Sequence, residues 1–521
     1  MISRMRPPRT LVVLSGVTAL VAVTPLVYLL VRVIDAGPER IWAILIRPRT
    51  LETVSTSVGL VAVVIAGCLI VGIPTAFLVA RSTVPLARTW WVLAALPLAI
   101  PSYVAAYAWI ALIPGMRGFW AAALILILVS SPYVVIPMAV AFRQSDPAVE
   151  EVARALGKSP LSAFLRVTMP QTWPAAAAGS LLVGLYTLSD FGAVSIFRVD
   201  AFTRVIYASY RASFDRVSAA VLALLLVLLA AALVLGERRI RGRAQRWRVA
   251  SGTVRPAVPV NVHGWRRALG VTWLSFWGFL ALGIPLISLI GQLLRSTNVP
   301  LRWDQLIQAT INSAGVSALG AAIAVLLAVP VGLLAARYRT PVTRGLETVS
   351  YTGHALPGVV VGLSLVFLTL AVLPAIYQTL VTLALAYAVL FLPKSIGATR
   401  TAIGLVPPVL EQTARTLGRG PLRAWLDTTF RMSWTGIAAG GLLVLLTAMK
   451  ELPATLMLRP TGFDTLATQL WSRTEVSAYG AAAPYALALI ALAAVPAWLL
   501  SSAATNRPMP EESPTITTVP A

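Results

Sequence analysis

Three charged residues stand inside stretches otherwise apolar enough for a membrane. Asp190 lies in TLSDF (Thr187 to Phe191), and Lys450 and Glu451 lie in AMKEL (Ala448 to Leu452). An ionised group on a spanning helix costs a few kcal/mol on insertion scales, so such residues face a cavity or a partner. Two roles fit them. The carboxylates could line or gate a route for a cationic substrate, or Lys450 could form a structural ion pair with Asp190 or Glu451 across helices. No catalytic set surrounds them. A single cysteine, Cys68, and two separate histidines, His263 and His354, exclude a disulfide and a Cys/His metal cluster within the chain. Gly157-Lys158-Ser159 has the look of the end of a phosphate-binding loop. That motif needs a glycine where Val152 stands, and no strand precedes it. Any ATP-driven work must therefore come from another chain.

The elements that position these charges are membrane helices. Of the 521 residues, 58% are hydrophobic and 12% are charged, with mean hydropathy +0.82; a soluble domain carries about a quarter charged residues. The net charge of +23 would suggest nucleic acid for a soluble protein. Here it reflects arginines at span ends, where they set topology and meet headgroups, and no nucleic-acid partner is expected. Apolar runs place spans at 10–34, 53–80, 89–112, 119–142, 175–197 and 217–236, then at 268–294, 311–336, 347–372, 377–399, 433–457 and 481–501. The expectation is an all-α polytopic membrane protein of about twelve helices. The basic start MISRMRPPRT leads into a first span too long for a signal segment, which puts the N-terminus in the cytoplasm. With that orientation roughly 28 of the Lys and Arg fall in cytoplasmic segments, about 13 outside, and one, Lys450, within the membrane.

The chain repeats itself. TSVGLVAVVIAGCLIVGIPTAFLVAR, ending at Arg81, matches NSAGVSALGAAIAVLLAVPVGLLAAR, ending at Arg337; Leu96-Pro97 resembles Leu356-Pro357, and TLSDF falls where AMKEL falls. An even number of spans separates equivalent points, so the two halves are tandem and parallel. This divides the chain into a first transmembrane unit at 1–236 with a polar loop at 144–174, a basic cytoplasmic linker at 237–267, a second unit at 268–501 with its polar loop at 400–432, and a polar tail at 502–521.

The two polar loops align without a gap: EEVARALGKSPLSAFLRVTMP (Glu150 to Pro170) on EQTARTLGRGPLRAWLDTTFR (Glu411 to Arg431). Ser159-Pro160 writes an N-cap followed by proline at the first helical position. Leu161, Phe164 and Leu165 then recur on one face, as Leu422, Trp425 and Leu426 do in the twin. An aromatic between two leucines on a short exposed helix suits docking into a groove; a helix lying on lipid is the other reading.

These loops resemble the EAA loop of permease subunits from bacterial ABC importers, whose pattern is E-A-A-x-x-x-G followed by I-x-L-P. Glu151, Val152, Ala153 and Gly157 fit it, closing at Val167-Thr168-Met169-Pro170. The second copy keeps Ala414 and Gly418 but has Gln412 at the glutamate position and Phe430-Arg431 at the end. The resemblance implies a fused two-unit permease in a bacterial inner membrane. It implies two copies of a cytosolic ABC ATPase, which would use ATP and Mg, gripping Glu151, Ala153, Gly157, Leu161, Phe164, Leu165 and Ala414, Gly418, Leu422, Trp425, Leu426. A periplasmic substrate-binding protein would deliver the cargo to outer loops such as 198–216 and 459–479. No cofactor, metal or catalytic residue is expected of this chain itself. TLSDFGAVSIF and MKELPATLMLRPTGFDTLATQLW are most similar to ferric iron permeases, while thiamine, polyamine and phosphonate permeases share parts of the architecture. From another class, an ion-coupled secondary transporter would need no ATPase and no exposed Phe164 or Trp425. An intramembrane enzyme would need a clustered catalytic set, which the sequence lacks.

Overall fold

The computed structural model describes residues 7–145, 147–211, 215–244, 259–295 and 302–505. The central part of the expected linker and most of the expected tail lie outside them. The described residues form helices, with one isolated bridge between Ser82 and Val260. Among the described residues, nine helices are long and apolar enough to cross a membrane.

Each half repeats one order of elements. In the first, Pro48–Arg81 is followed by a broken segment, Ala87–Ala95 and Ser102–Leu112, then by Phe119–Ser130 running on into Pro132–Gln144. In the second the counterparts are Trp303–Arg337, then Pro341–Ser350 and Gly358–Val372, then Leu380–Gly404. After each polar loop come a spanning helix, Met169–Ser189 or Arg431–Ala448, a short helix, Gly192–Ile196 or Pro453–Leu458, and an amphipathic one, Phe202–Arg211 or Leu466–Glu475. A shared hydrogen bond fixes the last of these. The N–H of Phe202 donates to Ser57 Oγ at 3.1 Å, and that of Leu466 to Ser313 Oγ at 2.8 Å. Ser57 and Ser313 occupy the same place in the repeat.

Four of the expected spans are broken. The span at 89–112 bends by 94° between Ala99 and Ser102. Ile100 precedes Pro101 and is forced into the extended region at ψ 118°, which ends the helix there. Leu356 before Pro357 does the same, also at ψ 118°, and divides the expected span at 347–372. By this geometry Pro357 corresponds to Pro101, not to Pro97. The spans at 175–197 and 433–457 likewise stop at Ser189 and Ala448. An apolar window runs across all four breaks, because the chain beyond each break remains apolar.

The halves lean on each other through their first helices. Arg9–Asp35 packs on the second half, where Thr18 Oγ1 donates to the Leu327 carbonyl at 2.9 Å. Gly264–Arg295, counterpart of Arg9–Asp35, packs on the first half. There Ser288 Oγ reaches the Ala108 carbonyl at 2.6 Å and Trp273 Nε1 reaches Thr75 Oγ1 at 3.1 Å. Within each half a glycine allows a close helix crossing. A Cβ on Gly179 would lie 2.6 Å from the Tyr133 carbonyl oxygen, and one on Gly440 would lie 2.9 Å from Ala398 Cβ.

Candidate functional site

Each polar loop is a helix, a tight turn and a second helix. Pro147–Ala155 ends in a left-handed turn at Gly157, φ +83°; Pro408–Thr416 ends in the same turn at Gly418, φ +85°. The N–H of Lys158 reaches the Ala153 carbonyl at 3.1 Å, and that of Gly157 the Arg154 carbonyl at 3.0 Å. Arg419 to Ala414 and Gly418 to Arg415 repeat these bonds at 3.1 and 3.0 Å. This paired bonding satisfies the last carbonyls of the helix and requires a positive φ, which accounts for the glycine in both copies. Glu151 and its counterpart Gln412 point to solvent.

Glu150, one residue earlier, turns inward. It pairs with Arg81 at 3.0 Å and accepts from Thr168 Oγ1 at 2.7 Å, tying the loop to the end of one spanning helix and the start of another. In the second loop Glu411 accepts from Thr429 Oγ1 at 3.2 Å, but its cation is Arg415 on its own helix, at 2.6 Å. Arg337, the counterpart of Arg81, donates instead to the Val406 carbonyl at 2.9 Å. Alignment alone pairs Glu150 with Glu411; the inward clasp needed the fold.

The expected cap is present: Ser159 Oγ accepts from the Ser162 N–H at 3.3 Å. The second helix of the loop is not a separate short piece. Pro160–Ala163 passes through a π turn at Phe164–Thr168 straight into Met169–Ser189, and Pro421–Trp425 passes through one at Leu426–Phe430 into Arg431–Ala448. A single rod of about 45 Å therefore joins the first loop to Asp190.

The aromatic anchors lie elsewhere than expected. Phe164 is half-buried against Phe77 at 5.2 Å and Phe142 at 5.8 Å. Trp425 is half-buried against Phe430 at 5.3 Å, and Phe430 continues to Trp434 at 5.4 Å. A three-residue apolar pattern gives a face but not which part of it the protein keeps for itself. What remains open is aliphatic: Leu161 and Leu165 in one loop, Leu422 and Leu426 in the other, joined by Leu156 and Leu417 at 78% and 79% exposure. The last two were not singled out by the sequence pattern.

At the far end of each rod the chain breaks at an acid. Asp190 Oδ1 accepts from the N–H of Ala193 at 2.9 Å and of Val194 at 3.3 Å; its other oxygen accepts from Ser102. Glu451 Oε1 accepts from the Ala454 N–H at 3.2 Å. Both carboxylates thus sit on donors that the helix break leaves without a partner. Gly358, in the place of Ser102, leaves room for the longer acid, since a Cβ there would lie 2.2 Å from Glu451 Oε1.

The two acids line one cavity of about 380 Å³ between the halves, together with Lys450, Lys394, Tyr133 and Tyr186. Among the described residues no ion pair joins Lys450 to either acid. Its Nζ donates at 3.0 Å to the carbonyl of Leu98, which the bend at Pro101 leaves free. Lys394 lies over the Phe391 ring at 5.1 Å. Sequence reading passed it over although it stands in an apolar span beside Pro393; an intramembrane lysine was the signal. The described residues hold no group of three or more His, Cys, Asp or Glu suited to a metal ion.

Residues 72–240 and 328–503 each match the binding-protein-dependent transport system inner membrane component. The chain belongs to this family. It is 33% identical to the Fe(3+)-transport system permease protein FbpB 2 of Haemophilus influenzae over 95% of this chain and 98% of that protein. Shorter relatives match one unit's length. The molybdenum transport system permease protein ModB of Mycobacterium tuberculosis is 32% identical over 44% of this chain and 96% of that protein. The molybdate/tungstate transport system permease protein WtpB of Pyrococcus furiosus is 26% identical over 30% of this chain and 64% of that protein. This permease is thus a fused, two-unit, multi-pass component of an ABC transport system in the inner membrane, of a family that works with an ATPase and a substrate-binding protein.

Proposed function

We propose that the permease forms the inward pathway for ferric iron delivered by a periplasmic binding protein. The observation that carries this reading is the match to a ferric iron permease along nearly the whole of both chains. In this reading the polar loops face the cytoplasm, as the N-terminus does, and two copies of an ATPase subunit each take one. Leu161, Leu165 and Leu156 would enter the groove of one copy, and Leu422, Leu426 and Leu417 that of the other. Ala153, Gly157, Ala414 and Gly418 shape the turn that presents them and Glu151 faces the same partner, while Phe164 and Trp425 hold each docking helix to the membrane domain. ATP and Mg act on the partner chains.

The rods give the coupling its mechanics. A helix with no break between Leu161 and Ser189 carries a push at the loop to the acid as a rigid-body movement. ATPase closure draws the two loops together, swings Asp190 and Glu451 relative to each other, and reshapes the cavity between them. Asp190, Glu451 and Lys450 would then form the wall along which cargo passes. The test is uptake by cells expressing the permease with its ATPase and binding protein. ATP-dependent entry of ⁵⁵Fe that stops when the binding protein is omitted supports the reading; uptake that persists without the ATPase points to an ion-coupled carrier.

A further inference from the structure

Beyond the central cavity lies a second chamber of about 580 Å³, lined by Arg117, Arg198, Arg204, Arg211 and Glu475. Phe191 borders both spaces and meets Trp471 at 5.1 Å and Tyr207 at 5.0 Å, so an aromatic cluster separates them. Two stretches of chain lead from the cavity to this chamber: Ser102–Leu112 toward Arg117, and Gly192–Ile196 toward Arg198. They are joined where the Gly118 N–H donates to the Phe197 carbonyl at 2.8 Å. The chamber therefore lies past the acids as one moves away from the polar loops.

Its charge runs against the usual distribution across a membrane. If the loops face the cytoplasm, four arginines gather on the side where basic residues are ordinarily sparse, so topology does not explain them. Arg204 is paired with Asp200, and Arg211 donates to the Tyr207 hydroxyl at 2.5 Å. Among the described residues, the Arg117 and Arg198 side chains have no hydrogen-bond or ion-pair partner. Arg198 also holds a left-handed φ of +58°, as does Ser477 of the same wall at +60°. That backbone is strained for a non-glycine residue, and Arg198 stands in the chamber lining.

The inner cavity has the same bias once its bonds are counted. Both carboxylates already accept backbone N–H groups, while Lys394 lies over an aromatic face and Lys450 donates to a single carbonyl. The outer chamber carries four arginines against one carboxylate, Glu475, so its charge favours anions. A bare ferric ion would call for a wall of carboxylate and other hard oxygen ligands. Guanidinium and ammonium groups are donors for anionic oxygen.

We propose that the permease receives its cargo through anionic oxygens at Arg117 and Arg198 and passes it along Lys450 and Lys394 with those oxygens attached. The cargo class is then an oxyanion or a ferric ion carried inside an anionic complex. This rests on the pathway reading above, and it gives one chemistry to relatives named for ferric iron and for molybdenum.

The experiment uses the full permease with its ATPase and binding protein in a host without its own uptake of either cargo. One arm supplies ⁵⁵Fe with ¹⁴C-citrate, the other ⁹⁹Mo-molybdate. The proposal expects ¹⁴C to enter with ⁵⁵Fe, or ⁹⁹Mo to enter. It also expects R117Q/R198Q to cut that uptake about tenfold at sub-saturating cargo, with R117K/R198K retaining most of it. Iron entering without its citrate, or R117Q/R198Q transporting like the wild type, overturns it. So does a variant that loses uptake only because it no longer retains the binding protein, which would make the arginines a protein-docking surface. If the wild type shows no ATP-dependent uptake in either arm, the importer reading for these cargoes fails and this proposal falls with it.

Discussion

The two break points, Asp190 and Glu451, perform the same task with different side chains. In the first half a short acid meets Ser102; in the second a longer acid fills the space that Gly358 leaves. What survives the exchange is a carboxylate on the N–H of the residue three positions on, Ala193 or Ala454. The shared demand is therefore to satisfy backbone opened at the break, and the acid's size is free to vary if its neighbour varies with it. The loops differ in a parallel way. The first is tied across helices through Arg81 and Glu150, whereas the second pairs Glu411 with its own helix.

The sharpest way to break this comparison is to exchange the two solutions. Gly358→Ser alone places a side chain where Glu451 lies and should destabilise the protein by about 3 kcal/mol, the upper end of overpacking costs. Glu451→Asp added to it recreates the first half's arrangement and should recover most of that loss. Thermal unfolding of the purified protein reads both; a double variant no better than the single one would show that the halves are not equivalent here.

Smaller effects separate the loops. Arg81→Ala leaves Glu150 partly buried without its cation and should cost about 2 kcal/mol. Gly157→Ala and Gly418→Ala should each cost about 1 kcal/mol from backbone strain alone, equally in the two halves, because nothing lies within 4 Å of either added Cβ. Arg415→Ala, whose side chain is half exposed, should cost no more than about 0.4 kcal/mol. Unfolding midpoints of the four variants give the order, and an Arg415→Ala loss as large as that of Arg81→Ala would erase the distinction between the loops.

Much of this was legible in the chain. The gapless match of the polar loops, the glycines at 157 and 418, the Ser159-Pro160 start and the intramembrane acids all rest on local chemistry that sequence carries openly. The breaks at Pro101, Pro357, Asp190 and Glu451 did not show, since hydropathy averages over the few residues that turn. Nor did the direction of Phe164 and Trp425. Which part of an apolar stripe the protein buries depends on Phe77, Phe142 and Phe430, residues that only the fold brings alongside. The Arg81–Glu150 clasp spans 69 residues and has no local signature.

In the proposed coupling the open leucines are the grip and the aromatics are the mount. The direct measurement is retention of the ATPase on purified permease, alongside its unfolding midpoint. For L161D/L165D combined with L422D/L426D, the account predicts loss of the ATPase and of uptake with an unchanged midpoint. For F164D it predicts a lowered midpoint. Full retention of the ATPase by the fourfold leucine variant would contradict it.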